Sequence, residues 1–136
     1  MSRILLLLLF LSASSAALCA DEAEEEGSLL GPKTVYHPLD PPFVVNLKGS
    51  GKHYLRANIQ VMAKGEDVIE DVKKHQALIR HELILLLSEQ ELGGIASPDG
   101  REHLRQDALQ VIQDALRTTT GRPGIKGVYF TNFVTQ

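Results

Sequence analysis

Apolar and polar residues alternate strictly from His53 to Ala63. Leu55, Ala57, Ile59, Val61 and Ala63 fall on one side; Tyr54, Arg56, Asn58, Gln60 and Met62 fall on the other. A period of two predicts a strand with one buried face and one wet face. Phe43 to Leu47 predicts a shorter strand before it, opened by Pro41 and Pro42. Lys48-Gly49-Ser50-Gly51-Lys52 reads as a turn, so the two strands form an antiparallel hairpin.

After Lys64-Gly65 the period lengthens. A helix is predicted from about Glu66 to Gln90, with Val68, Ile69, Val72, Ile79, Leu83, Leu86 and Leu87 on one face about 100° wide. Only Gln76 interrupts that face. Glu66, Asp67, Glu70 and Asp71 sit in the first turns, where the helix dipole favours carboxylates. Glu70 also stands four residues before Lys74, the favourable order for an ion pair. Gly93-Gly94 breaks the chain, and Ser97-Pro98-Asp99 announces a second helix with Ser97 as N-cap. Leu104, Ala108, Val111, Ile112 and Ala115 form its stripe down to about Arg117, and the run from Thr118 to Gly124 stops it. Ile125 to Gln136 alternates again, Val128, Phe130 and Val134 on one face and Tyr129, Thr131 and Phe133 on the other. The order is β-β-α-α-β without internal repeat. It predicts an α+β fold, a mainly antiparallel sheet packed by two helices.

Leu78 and Leu85 lie outside the apolar face of the first long helix, one heptad apart. Two readings stand side by side. The second helix covers them, or they mark a subunit contact, as exposed leucines in register do.

The amino terminus has its own pattern. Arg3 is followed by an unbroken apolar run from Ile4 to Leu11, a small-residue zone from Ser12 to Ala20, and acidic residues from Asp21. This is the order of a secretory signal. Ile4 to Ala20 reaches only about 25 Å as a helix, short of a hydrocarbon core of about 30 Å. Residues 1–20 therefore read as a signal peptide or short signal anchor, 21–40 as an acidic linker, and 41–136 as the folded domain.

Cleavage after Ala20 leaves about 116 residues, enough for one domain. It removes Cys19, the single cysteine, and with it thiol and disulfide chemistry. Loss of Arg3 moves the net charge from -3 to -4, which argues against nucleic acid. The chain has no tryptophan and few aromatics, which leaves little to stack on sugars or bases.

Motifs for chemistry are missing. His37, His53, His75, His81 and His103 include no pair three or four apart on a helix, and no H-E-x-x-H occurs, so no metal site is expected. Gly49-Ser50-Gly51-Lys52 superficially suggests a phosphate loop, but His53 and a strand follow where Ser or Thr and a helix would be needed. Gly121, Gly124 and Gly127 precede a strand and read as turn glycines. No G-x-S-x-G is present, and Ser97 is used as a cap. No catalytic residue, cofactor or small-molecule substrate is expected.

From Pro42 to Gln136 the chain resembles the FliL family of flagellar basal-body-associated proteins. The resemblance is carried in order by Pro42-Phe43-Val44-Val45-Asn46-Leu47, the alternating strand from Tyr54, the helix containing Ile79-Arg80-His81-Glu82 to Leu87-Ser88, the helix from Arg101 to Leu116, and the closing Val128-Tyr129-Phe130-Thr131-Asn132-Phe133-Val134-Thr135-Gln136. It implies a periplasmic domain similar to stomatin-type domains. It also implies a homo-oligomer, in rings around or beside the flagellar stator, that supports stator engagement, torque or swarming. The implied partners are stator or basal-body proteins, or a membrane-anchored relative; neither cofactor nor catalytic residues are implied. Family members usually carry a cytoplasmic tail and a full transmembrane helix, from which this amino terminus departs. The other reading is a free periplasmic binding or stress-related module that keeps the fold without a motor role.

Overall fold

The computed structural model describes residues 31–136. The readings of residues 1–20 as a signal, of Cys19, and of the first part of the linker lie outside the described residues. The elements are β1 (Thr34–Pro38), β2 (Phe43–Asn46), β3 (Tyr54–Lys64), α1 (Glu66–Lys74), α2 (Gln76–Ser88), α3 (Leu92–Ala96), α4 (Pro98–Thr120) and β4 (Gly127–Thr135). This is an α+β fold, with the helices on one side of a four-stranded antiparallel sheet.

Strand β3 is the centre of that sheet. β1 pairs with its carboxyl-terminal half, from Thr34↔Lys64 to Pro38↔Gln60. β2 pairs with its amino-terminal half, from Phe43↔Ala57 to Asn46↔Tyr54. β4 covers the opposite edge. The alternation has the predicted outcome: Leu55, Ala57, Ile59, Val61 and Ala63 are all buried. Val68, Ile69, Val72, Ile79, Leu83 and Leu87 close over them, with Leu104, Ala108, Ile112 and Leu116 from α4. Each fully buried Leu, Ile or Val contributes about 1.5–3 kcal/mol.

The structure departs from the sequence reading in five places. The first is β1, which lies within the span read as linker. Its inward positions are Val35 and His37, too weak an alternation to announce a strand. Second, the long helix is interrupted at His75 (φ −105°, ψ 18°), which caps α1 and begins α2. Third, a short helix, α3, occupies the Gly93-Gly94 segment. Fourth, α4 continues past Arg117 to Thr120. Thr118, Thr119 and Thr120 each donate a hydroxyl hydrogen bond to a carbonyl four residues back, which lets β-branched residues close a helix. Gly121 then ends it in the left-handed conformation at φ 80°.

The fifth departure is a bulge in β4. Ile59 faces Phe130 while Asn58 faces Asn132, so Thr131 is an extra residue. Beyond it the faces exchange. Phe133 turns inward onto the core and packs 5.2 Å from the Phe130 ring, whereas Val134, expected beside Phe130, is exposed.

Two polar side chains fix α2 to the sheet edge. The chain kinks between β1 and β2 at Leu39–Pro42, where the Asp40–Pro41 bond is cis. Arg80 donates to the carbonyls of Leu39 (3.0 Å) and Pro41 (2.7 Å) and lies 4.2 Å above the centre of the Phe43 ring. Gln76 donates to the Asp40 carbonyl at 2.9 Å. The polar interruption in the apolar face is thus a hydrogen-bond donor to a kink that is held to β3 by the Leu39 amide, which donates to the Ile59 carbonyl at 2.9 Å, while its own carbonyls face α2. At the start of α4, Gly100 donates to the Ser97 hydroxyl oxygen at 3.0 Å. A methyl at Gly100 would overlap the Gly94 carbonyl oxygen, so α3 and α4 meet there only through glycine.

Arg80→Met removes both carbonyl bonds and the cation over Phe43. The expected cost is about 1–3 kcal/mol in urea unfolding, with the slope unchanged.

Candidate interaction surfaces

Helix α2 carries more apolar residues than one face can hold. Leu83-Ile84-Leu85-Leu86-Leu87 are five consecutive apolar residues, and four steps of 100° cannot all face one core. Leu83 and Leu87 are buried and Leu86 is half-buried, which leaves Ile84 and Leu85 to solvent. Leu78 is 36% exposed, Ile84 41% and Leu85 49%. The second helix therefore does not bury Leu78 and Leu85. Leu78 borders a groove between α2 and α4, together with Glu82, Val111, Asp114, Ala115 and Thr118, of about 320 Å³. Leu85 lies one heptad further along the same side of α2. The two leucines share a surface. Ile84, which the sequence reading did not single out, widens it.

The second open surface is the outer face of the sheet. Because paired residues in an antiparallel sheet share a face, Tyr36 (beside Met62), Tyr129 (beside Gln60), Tyr54, Val44 and Val134 (both beside Arg56) lie together there. All three tyrosines of the chain are on this face, each 40% exposed or more. Tyr36 and Tyr129 approach across the sheet with ring centres 6.1 Å apart. The run Phe43-Val44-Val45 held the signal: three apolar residues in a row on a strand must place one outside.

A second groove, about 360 Å³, runs between α4 and β4 past Arg101, Glu102, Arg105, Tyr129, Phe130 and Phe133. Arg105 grips Glu102 with two bonds of 2.8 and 2.6 Å and donates to the Val128 carbonyl at 3.3 Å. Gln106 donates to the same carboxylate at 3.1 Å. The Arg105 bonds, and then that of Gln106, pull the Glu102 pKa down from its ordinary 4.5 to about 2. Arg122, spanning Asp67 at 2.8 Å and Asp71 at 2.7 Å, likewise lowers the Asp67 pKa while tying the end of α4 to α1. Both sites are at least partly exposed: Arg105 pairs within α4 and reaches β4 through the Val128 carbonyl, and Arg122 links α4 to α1. Neither sits in an enclosed pocket.

Among the described residues, no group of three or more His, Cys, Asp or Glu side chains is placed to hold a metal ion. The Gly49–Lys52 segment is a hairpin turn, with Gly49 and Gly51 at positive φ and Leu47 donating to the His53 carbonyl. Among the described residues no helix is long and apolar enough to cross a membrane. What these surfaces can do chemically is exclude water against another macromolecule.

Residues 36–136 match the family model described as flagellar basal body-associated protein FliL. The flagellar protein FliL of Aquifex aeolicus (strain VF5) is 34% identical over 103 residues, covering 75% of this chain and 62% of the relative. The match spans less than two thirds of that relative's length.

Leu85→Glu and Leu83→Ala test the exposure of α2. The exposed change is expected to shift the melting temperature by no more than a few degrees, whereas the buried truncation costs about 2–5 kcal/mol. Glu102 contributes stability that is present above about pH 4.5 and is lost as pH falls towards 2, because its folded pKa is depressed. Thermal melts of Glu102→Gln across that interval are expected to be flatter than those of the parent protein.

Proposed function

The chain belongs to the FliL family of flagellar basal-body-associated proteins, and we propose that it serves the motor by contact alone. Its domain supports stator engagement, torque or swarming by packing against copies of itself and against stator or basal-body proteins in the periplasm. A membrane-anchored relative is a suitable tether if the amino-terminal segment is removed. Leu78 and Leu85 belong to the subunit contact. The observation that carries this reading is the outer face of α2, where Leu78, Ile84 and Leu85 stand in solvent on a folded helix. Burying such side chains contributes about 25 cal/mol per Å², a gain left unrealised until a partner arrives. The grooves have apolar walls and ion-paired rims, which suits docking and supplies no activated nucleophile or base.

A deletion strain complemented with the Leu85→Glu protein tests the reading. Swarming and swimming in viscous medium are expected to fall to the level of the deletion, with normal amounts of folded protein. Undiminished motility of the deletion strain itself, with any close relative also removed, would overturn the motor role.

A further inference from the structure

We propose that the acidic segment of residues 21–26, with Leu29 and Leu30 behind it, folds back along the open sheet face of its own chain and covers it. The inference goes beyond the contact role of α2, which lies on the other side of the sheet. Its first support is where the charge lies. Asp21, Glu22, Glu24, Glu25 and Glu26 put five carboxylates into six residues. Of the chain's 14 Lys and Arg only Arg3 precedes residue 31, and of its 17 Asp and Glu only those five do. Residues 31–136 therefore carry 13 positive and 12 negative side chains, so the negative excess of the chain sits in this one segment.

The open face is complementary to it. Its strands carry Arg56 and Lys64 there and no carboxylate. Both cations are exposed, and among the described residues neither is in an ion pair. Lys33 and Lys126, also exposed, border the same end of β3 as Lys64. The Lys33 carbonyl accepts from the Gly65 amide at 2.9 Å, and the Lys126 amide donates to the Met62 carbonyl at 2.7 Å. Of the four carboxylates that open α1 beyond this end, Asp67 and Asp71 are bonded to Arg122 and Glu70 to Lys73, which leaves Glu66. A negative segment that arrives here meets opposite charge.

Order along the chain matches order along the face. β1 enters at Thr34, opposite Lys64, just after Gly31 at φ 76° and a bend at Pro32. Beside the entry lie Tyr36, Met62 and Tyr129, the two rings 6.1 Å apart. Arg56 lies further down β3, about 26 Å from Lys64 at the rise of a strand. In the segment Leu29 and Leu30 are nearest the entry and the carboxylates are further from it. Residues 21–30 span up to about 35 Å when extended, enough to pass Arg56. Tethering sets an effective concentration on the order of mM, so a weak, salt-sensitive attraction suffices. Any macromolecule that uses this face must displace the segment.

Tyrosine emission reads the cover directly, because the chain has no tryptophan and all three of its tyrosines lie on this face. Acrylamide, a neutral quencher, is titrated into the purified protein at about 10 mM and about 1 M salt, where the Debye length is about 30 Å and about 3 Å. Mass spectrometry verifies that residues 21–30 are present, and circular dichroism verifies folding. The parent protein is expected to be quenched about twofold more strongly at high salt, where the attraction is screened. Two variants are compared with it: the combined Glu22→Gln, Glu24→Gln, Glu25→Gln and Glu26→Gln protein, and Arg56→Glu. Both are expected to show the parent's high-salt quenching already at low salt. Equal quenching of the parent protein at both salts, or a variant that keeps the parent's salt response, would overturn the proposal. So would protection that grows with protein concentration, which assigns the cover to a second copy. The motor role is read separately, from motility with Leu85→Glu, and stands or falls apart from these outcomes.

Discussion

Strand β3 pairs with every other strand of the sheet while burying every second side chain. β1 and β2 lie end to end along one edge, β4 along the other, and the helices rest on the apolar floor formed by Leu55, Ala57, Ile59, Val61 and Ala63. A slip of one residue would turn that floor to water, so the register is tightly specified. The edge is not self-sufficient. Between β1 and β2 the carbonyls of Leu39, Asp40 and Pro41 lie off the ladder, and α2 supplies donors through Gln76 and Arg80. The position of α2 and the continuity of the sheet edge therefore depend on each other.

The same constraint shapes the surface. A sheet covered by helices on one side leaves the other side open, and here that side holds all three tyrosines. A helix pinned by its polar residues to the sheet edge must turn some of its apolar residues outward when it has more than the core accepts. Leu78, Ile84 and Leu85 are that excess. Both surfaces leave apolar side chains in solvent on a chain of a basal-body-associated family.

Strong periodic signals were readable directly. The hairpin of β2 and β3, the Ser97 cap with Pro98 behind it, and the inward residues of α1, α2 and α4 need only local spacing to be recognised. Leu78 and Leu85 stood out because they broke the spacing, and the structure leaves both in solvent. Of the open sheet face, the alternation put Tyr54 on the wet side and Tyr129 opposite Val128, and the run Phe43-Val44-Val45 signalled Val44, whereas Tyr36, in the unread β1, and Val134, beyond the bulge, were hidden. β1 was hidden too. His37 and Pro38 disguise a strand whose stability comes from its neighbour, and a single strand has no stability of its own.

Periodicity, capping residues and turn glycines are properties of neighbouring positions, so the sequence by itself determined the element types, the antiparallel hairpin and the α+β class. Long-range pairing decided the remainder. β1 became a strand because Thr34–Pro38 found the free edge of β3. The bulge at Thr131 reversed the faces of β4 because the ladder on either side demanded two registers. Gln76 became intelligible only when the kink it serves was folded against it. Each of these depends on backbone hydrogen-bonding groups whose partners lie far apart in the chain, another strand for β1 and β4 and the Gln76 side chain for the kink, and which must be satisfied once they are removed from water.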